Sequence, residues 1–323
     1  MKPIHFNIYI RQLMVIAGIL IISFFVNAQS ITQQPGYQHF TVGKIAVTAL
    51  SDGTVPVNAK ELLHAKEPGR VSALVHREYL IDPVEVSINT YLVQLADKLV
   101  LIDAGVGALF GSEHGGKLIA NLKAAGFNAD QVTDVLITHI HLDHSGGLSL
   151  NNVMQFNNAI VHINGKELDF WMKHQKPQKG ESRGISDNRP AFEAIKPYLV
   201  AGKVATFEGD TKLFDGIHTK EVIGHTPGHT VFLLESEKEK LLFWGDLIHI
   251  AAVQLHGPEI ENNFDFDKEK AAIQRQAAYT EAAKEGYMVA ADHISFPGIG
   301  RVTKDGKGYR WISLPYTLLG RTR

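Results

Sequence analysis

Hydrophobic and polar residues alternate in two early segments of the chain, residues 39–42 and 44–50, and a period of two is typical of strands with one buried face. Residues 89–95 and 98–103 flank a short turn and predict a hairpin. Its second strand is apolar from Leu99 to Ile102, on both faces, as expected of a strand that is covered on both sides. Residues 132–137 predict a further buried strand.

Apolar residues at helical spacing predict four helices, at residues 117–125, 166–174, 190–198 and 267–285. Further strands are predicted at residues 159–163, 203–207, 212–217, 222–223, 230–234, 241–244 and 287–291, and the tail from 308 to 319 predicts an edge strand or a cover. Residues 55–87 contain Pro56, Pro68 and Pro83 and keep no sustained period. This segment predicts a mobile or substrate-facing excursion.

Two predicted hairpins, residues 90–103 and 230–246, resemble each other because the apolar second strand of each leads into an aspartate, Asp103 or Asp246. They indicate two related halves rather than a repeat array. Strands that are buried on both faces need cover on both sides. We therefore predict an α/β fold, a four-layer αββα sandwich with two mixed sheets face to face and helices outside.

The N-terminal 28 residues have the pattern of a secretory signal peptide. Lys2 and Arg11 supply positive charge ahead of an apolar run from Leu13 to Val26. This run is shorter than the roughly 20 residues that span a bilayer. A retained N-terminal anchor is the alternative. We expect a signal peptide at 1–28, a single hydrolase domain at 29–323, and an exported protein, periplasmic or secreted.

Composition narrows the classes of function. Removal of Lys2 and Arg11 with the signal peptide takes away two positive charges and moves the formal net charge from −2 to −4. A mildly acidic chain without basic runs argues against a nucleic-acid partner. The sequence contains no cysteine, so disulfides cannot stabilise it and any metal site must use His, Asp and Glu.

The densest chemical signal is the stretch 138–147, which follows the apolar run 135–137 and holds three histidines and an aspartate within six residues. A polar surface turn has no backbone need for three histidines. Imidazole and carboxylate suit zinc and its first-row neighbours. The four candidate ligands of this stretch are His139, His141, Asp143 and His144.

Further candidate ligands follow later strands. The turn 224–230 carries His225 and His229, the hairpin strand leads to Asp246, and His293 follows the last buried strand. With one histidine from the turn, these residues make seven ligands. That number is too large for one tetrahedral zinc and fits two divalent ions, zinc in first place, with one shared carboxylate.

The motif His-x-His-x-Asp-His, the later Thr-Pro-Gly-His, the Gly-Asp and the last His resemble, in this order, the metallo-β-lactamase fold superfamily. The chain is similar in particular to the methyl parathion hydrolase branch and its lactonase and arylesterase relatives. The stretches that carry this likeness are residues 50–54, 99–103, 121–126, 245–248, 251–254 and 295–300.

The resemblance implies that one metal is held by His139, His141 and His229. The other metal is held by Asp143, His144 and His293, and Asp246 bridges the two. Asp103 would support the site through hydrogen bonds, and His225 would be a supporting residue beside the ligand His229. The predicted catalytic residues are Asp143 and Asp246, where Asp143 either passes a proton to the leaving group or serves only as a ligand.

The same resemblance places the substrate pocket at Phe110, Trp171, Ile185 and His249. For Phe110 and Trp171, ordinary core packing is the alternative. His249 stands where the organophosphate-hydrolysing member is aliphatic, and Ile185 where that member has an aromatic residue. Both differences favour lactones or aryl esters over phosphotriesters.

The sequence therefore predicts an exported dinuclear zinc hydrolase that uses a metal-bridging hydroxide to cleave lactones or aryl esters. An organophosphate triesterase is the first alternative, and a non-catalytic metal-binding protein is a weaker one. The partner would be a small-molecule ester or lactone, and the family likeness suggests a homodimer.

Overall fold

A computed structural model describes residues 33–174 and 188–317. The chain divides into two units, Met1–Gln34 and Pro35–Arg323, and all the elements below belong to the second. The predicted signal peptide, 1–28, and Ile185 lie outside the described residues. Among the residues that are described, no helix has the length and apolar content needed to cross a membrane.

Most of the described elements are strands. In chain order they are β1 (Tyr37–Val42), β2 (Ile45–Val57), β3 (Leu63–His64), β4 (Val84–Gln94), β5 (Leu99–Ile102), β6 (Asp134–Leu136), β7 (Ser149–Leu150), β8 (Val153–Met154), β9 (Ile160–Asn164), β10 (Val204–Phe207), β11 (Lys212–Phe214), β12 (Ile217–Glu221), β13 (Thr230–Ser236), β14 (Glu239–Phe243), β15 (Glu261–Asn262), β16 (Met288–Ala290), β17 (Ile299–Asp305) and β18 (Gly308–Ser313).

Helices connect and cover these strands. They are α1 (Ala59–Leu62), α2 (Arg70–Arg77), α3 (Leu118–Ala124), α4 (Leu142–Ser145), α5 (Gly165–Lys173), α6 (Arg189–Val200), α7 (Ala251–Gln254) and α8 (Lys268–Glu285). The longest, α8, begins at the N-cap Asp267, whose side chain accepts a hydrogen bond from the backbone of Lys270. It ends at Gly286 in the left-handed conformation.

Two seven-stranded sheets form the inner layers. The first has the order β1-β2-β4-β5-β6-β9-β10 and the second β11-β12-β13-β14-β16-β17-β18. In each sheet a hairpin (β4–β5 or β13–β14) is followed by a parallel neighbour, β6 or β16. The two halves that the hairpins predicted are therefore seen in the strand order.

The apolar residues fall into layers. Side chains of both sheets, among them Tyr91 and Phe243, fill one core between them. A second core lies under α3, α5 and α6 on the first sheet, and a third lies under α8 on the second. The predicted four-layer αββα sandwich with two mixed sheets is confirmed.

The segment 55–87 is more regular than its prolines predicted. Strand β2 continues to Val57, with a register irregularity between Ser51 and Gly53 that the sequence analysis took for its end. Helices α1 and α2 follow, and Ala59, Leu62, Val71 and Val75 pack in a fourth apolar cluster against α7. Short helices of one or two turns carry too little periodic pattern to be recognised among prolines.

Candidate metal centre

The candidate ligands collect where strands end at one edge of the sandwich. His139 and His141 follow β6, Asp246 follows β14, and His293 follows β16. The parallel pairs β5–β6 and β14–β16 bring two strand ends together in each sheet. The short helix α4 then carries Asp143 and His144 back over the same edge.

A first group of potential ligands consists of His139, His141, His225 and Asp246. The Nε2 atom of His225 lies 3.2 Å from Nε2 of His139 and 3.1 Å from Nδ1 of His141. It also lies 3.0 Å from Oδ2 of Asp246. Three imidazole nitrogens and a carboxylate oxygen thus face a common point.

A second group consists of Asp143, His144 and His293. Nε2 of His144 lies 3.7 Å from Oδ1 of Asp143, and Nε2 of His293 lies 3.5 Å from its Oδ2. Asp143 is the most exposed of these ligands, with a side chain 19% accessible.

Asp246 joins the two groups through its two oxygens. Oδ2 faces His225 at 3.0 Å and His139 at 3.4 Å. Oδ1 faces His144 at 3.1 Å and His293 at 2.9 Å. One carboxylate therefore presents a separate oxygen to each group, as a shared ligand of two metal ions does.

The donor set fits divalent metal ions. Nε2 of His144 and Oδ1 of Asp246 are buried and have no aligned hydrogen-bond partner among the described residues. Ligands about 2.0–2.2 Å from one metal lie roughly 3–3.6 Å from each other, close to the distances of 2.9–3.7 Å between the candidate ligand atoms here. Burial lowers the pKa of His139 and of His141 well below the ordinary value, so both imidazoles are neutral and able to bind a metal.

Hydrogen bonds at Nδ1, the ring nitrogen that does not face the other ligands, orient His144. Its Nδ1 donates to Oδ2 of Asp103 at 2.8 Å and lies 3.2 Å from Oδ2 of Asp292. Asp103 also accepts hydrogen bonds from the backbone and hydroxyl of Thr138 at 2.8 and 2.7 Å. Burial raises the pKa of Asp292 to about 8, although its hydrogen bond with His144 opposes the rise. The structure thus places Asp103 behind a ligand, where such partners fix the ring orientation.

The positions of His225 and His229 correct the sequence analysis, which made His229 the ligand. Nδ1 of His225 lies 2.9 Å from Oδ1 of the buried Asp265, whose Oδ2 accepts from Arg275 at 2.9 Å. This pairing turns Nε2 of His225 toward the ligand group. Burial alone would lower the pKa of His225, but Asp246 and Asp265 raise it to about 9.

His229 lies behind the ligand group instead. Its Nε2 accepts a hydrogen bond from the backbone of Asp246 at 3.2 Å, so that ring nitrogen is occupied. Burial lowers the pKa of His229 to about 3, and the ring is neutral. Two histidines four residues apart in one turn cannot be told apart from sequence, because the deciding partner, Asp265, is 40 residues away from His225.

His249 joins the site at the bridging carboxylate. Its Nε2 lies 2.9 Å from Oδ2 of Asp246, and its ring stacks on His293 at 5.0 Å. The amide of Asn262 faces Nδ1 of His249 at 3.0 Å, while the Oδ1 of that amide accepts from the backbone of Phe264. The amide nitrogen is therefore the group that faces Nδ1, and since it can only donate, Nε2 carries the ring proton.

A cavity of about 520 Å³ opens onto the ligands. Phe110 and His249 line it, as the resemblance implied. Part of its apolar wall comes from the end of β2, the start of β4 and α1. Val55, Val57 and Leu62 therefore support the prediction that segment 55–87 faces a substrate.

Trp171 packs in the core, which was the alternative to a place in the substrate pocket. It is 1% exposed and lines a smaller neighbouring cavity of about 270 Å³, together with His141, Phe170 and His225. Its Nε1 donates to Glu167 at 2.9 Å, which ties the ring into the packed layer of α5.

Several residues that orient ligands carry no signal in the sequence that marks them, notably Asp265, Arg275 and Asn262. Asp292 had a signal, since it directly precedes His293 after a buried strand. Asp265 lies in a loop, Asn262 in the two-residue strand β15 and Arg275 on α8, and only the tertiary fold brings them to the site.

Together these features define a candidate two-metal centre on an αββα sandwich. A family model of the metallo-β-lactamase superfamily matches residues 83–293, and the chain belongs to that superfamily.

Two solved structures are similar over nearly the whole chain. The hydrolase AbOPH of the β-lactamase superfamily is 34% identical, with a TM-score of 0.82 over 88% of this chain and all of its own. AidC, a dizinc quorum-quenching lactonase solved with the product N-hexanoyl-L-homoserine, is 27% identical, with a TM-score of 0.78 over 87% of this chain and 98% of its own.

Curated relatives match over shorter regions. The acyl-coenzyme A thioesterase MBLAC2 of Homo sapiens is 27% identical over 176 residues, which are 50% of this chain and 58% of that protein. An N-acyl homoserine lactonase of Bacillus cereus is 25% identical over 126 residues, 39% of this chain and 42% of its own. The chain spans about half the length of these relatives.

Proposed function

We propose that this chain is a dinuclear zinc hydrolase that cleaves lactones or aryl esters. The observation that carries the proposal is Asp246, whose two oxygens face two separate groups of ligands 2.9–3.4 Å away. The first ion would be held by His139, His141 and His225, and the second by Asp143, His144 and His293, with Asp246 shared.

Zinc is the proposed metal because the donors are imidazoles and carboxylates in sets of three with a shared fourth ligand. A similar solved structure is described as a dizinc lactonase, which supports the choice. When bound, two such ions supply a strongly acidified water and positive charge for an oxygen that becomes negative in the reaction.

The chain's own residues would complete the chemistry. Asp143 reaches the cavity and is the most exposed of the second group of ligands, so it is placed to take a proton and pass it to the leaving group. His249 presents Nε2–H beside Asp246 and lines the same cavity, where it can donate to a substrate oxygen.

The cavity supports an uncharged substrate. Its apolar wall includes Val57, Leu62, Phe110 and Phe264, and Glu61 adds a carboxylate at the same wall. An apolar and acidic lining suits an aryl or acyl group next to a neutral ester. It opposes a polyanion such as an acyl-coenzyme A, the substrate class named for one relative.

A substrate panel tests the proposal. Purified zinc-loaded protein is assayed with an aryl lactone, a 4-nitrophenyl ester, methyl paraoxon, a β-lactam and an acyl-coenzyme A. We expect turnover of the first two to exceed that of the others by at least about tenfold in kcat/KM, and His139→Ala to lose both metal and turnover. A leading rate with methyl paraoxon would instead support the triesterase, and no turnover together with unchanged metal content in His139→Ala would contradict the proposal.

We also propose that the protein is exported, after cleavage behind Ala28, and forms a homodimer. The charged start and the apolar run from Leu13 to Val26 support export. Mass spectrometry of the mature N-terminus and cell fractionation test the first point, with an intact membrane-bound N-terminus as the opposite result. Light scattering tests the second.

A further inference from the structure

We propose that Glu167 is a positioning residue that holds the first metal's ligands in place. It fixes the two loops that carry His139, His141 and His225. The inference rests on the two-metal assignment proposed above, and it adds a residue that no motif of the sequence marks.

Glu167 lies in α5 and is completely buried. Its Oε1 accepts hydrogen bonds from the backbone N–H of Ile140 and from Nε1–H of Trp171, both at 2.9 Å. Its Oε2 accepts from the backbone N–H of Gly228 at 2.9 Å. Burial of an ionised carboxylate is costly unless the group is paired. The carboxylate of Glu167 is paired with these three N–H donors.

The positions of two of these donors indicate what the carboxylate does. Ile140 lies between His139 and His141, and Gly228 lies three residues after His225 in the second loop. One carboxylate therefore joins both loops of the first metal group, with one oxygen on each. Misplacement of either loop would move ligand atoms that now lie 3.1–3.2 Å apart.

The close approach of the second loop depends on Gly228. A Cβ atom at this position would lie 2.5 Å from the backbone nitrogen of Glu167 and 2.6 Å from its Cβ. Only glycine brings the loop backbone within hydrogen-bond distance of the carboxylate. The Gly in this turn thus serves the contact with Glu167.

The second metal group has its own supports. Asp103 and Asp292 hold His144, and Nδ1 of His293 donates to the backbone oxygen of Ser87 at 2.9 Å. The carboxylate of Glu167 makes its hydrogen bonds elsewhere, to Ile140, Trp171 and Gly228. Loss of the Glu167 carboxylate should therefore affect the two ions unequally.

Substitution by glutamine tests this asymmetry. Glutamine has the same shape, but one of its two terminal atoms is an NH2 donor, which would face an N–H donor whichever way the amide turns. Partners of this kind typically contribute 10–100-fold to metal affinity. We expect Glu167→Gln to weaken binding of one ion about 10–100-fold and to leave the other unchanged.

The experiment measures metal rather than activity. Zinc is removed from the full chain by stepwise competition with a chromophoric chelator, and retained zinc per chain is counted at each step. Circular dichroism checks that each variant is folded. Asp52→Asn is the matched control, since Asp52 is a buried carboxylate that accepts the backbone N–H groups of Val106, Gly107 and Leu118 at 2.8–3.1 Å, none of which belongs to a candidate ligand.

The expected result is selective loss of one ion in Glu167→Gln and no change in Asp52→Asn. Gly228→Ala should reproduce the selective loss, and it decides the question if Glu167→Gln does not fold. Equal loss of both ions, or two unchanged affinities, would overturn the role of Glu167. If the unsubstituted chain itself holds fewer than two ions, the proposed two-metal function fails and the role of Glu167 falls with it.

Discussion

Nδ1 of His225 lies 2.9 Å from Oδ1 of Asp265, and this contact decides which histidine of the turn 224–230 faces the metal ligands. Asp265 is itself held by Arg275, which donates from a buried position on α8. The longest of the described helices thus reaches the candidate metal centre through one buried ion pair.

Asp265→Asn should weaken the first metal's binding by about 10–100-fold, because an amide has one acceptor where His225 and Arg275 both need one. Chelator competition measures the affinity. Asp267→Ala is the control: it removes the N-cap of α8 and should cost about 1 kcal/mol in the free energy of unfolding without a change in metal affinity. If Asp265→Asn and Asp267→Ala bound metal with the same affinity, Asp265 would have no role in positioning the ligands.

His225→Ala and His229→Ala separate the two histidines of the turn. We expect His225→Ala to retain one zinc per chain, since a ligand is lost. His229→Ala should retain both ions but unfold at lower urea concentration, because the backbone N–H of Asp246 loses its acceptor. Metal analysis after gel filtration checks the result, and the reverse pattern would restore His229 as the ligand.

His249→Leu should move substrate preference toward phosphotriesters. The change removes an N–H beside Asp246 that suits an ester or lactone oxygen and leaves an apolar wall. We expect the ratio of kcat/KM for methyl paraoxon to that for an aryl lactone to rise about tenfold. His256→Leu, at a position outside the cavity lining, is the control. An unchanged ratio in His249→Leu would show that His249 does not set specificity.

Removal of zinc should lower thermal stability. Ligands that bind only the folded chain stabilise it by about 4 kcal/mol at 1,000 times their Kd, which corresponds to a fall of roughly 10 °C in Tm for a domain of this size. Scanning calorimetry of chelator-dialysed and zinc-reconstituted protein measures the change. Identical melting temperatures would mean that the clustered histidines hold no metal.

Asp134 gives a pH dependence away from the metal centre. Burial alone would raise its pKa, but hydrogen bonds from His162, Lys98 and Thr133 outweigh burial and lower the pKa from 3.8 to about 2. The folded state therefore favours the charged form, and this stabilisation is present above about pH 4 and is lost as the pH falls through 2.

Asp134→Asn should accordingly destabilise the protein by about 2 kcal/mol at pH 7, and the difference from the unsubstituted chain should narrow by about half at pH 3. Urea unfolding of metal-free protein at both pH values measures this. A difference that stays constant with pH would show that the carboxylate of Asp134 is not held in its charged form.

The sequence predicted the architecture because strands buried on both faces and two similar hairpins carry a strong pattern. It also predicted six of the seven first-choice ligands that the structure brings together, since His139 to His144 are neighbours and Asp246 and His293 end apolar strands. It failed where partners are distant in sequence. Asp265 selects His225 over His229 from a loop without periodicity, and Trp171 is drawn into the packed layer by Glu167.

Each candidate metal position takes ligands from both halves of the molecule. The first half, built on β4 to β6, offers His139, His141, Asp143 and His144, and the second half, built on β13 to β16, offers His225, Asp246 and His293. Neither half on its own can complete even one ion's coordination. Bound metals would therefore hold the two structurally similar halves together, and the chemistry of the site would require both halves.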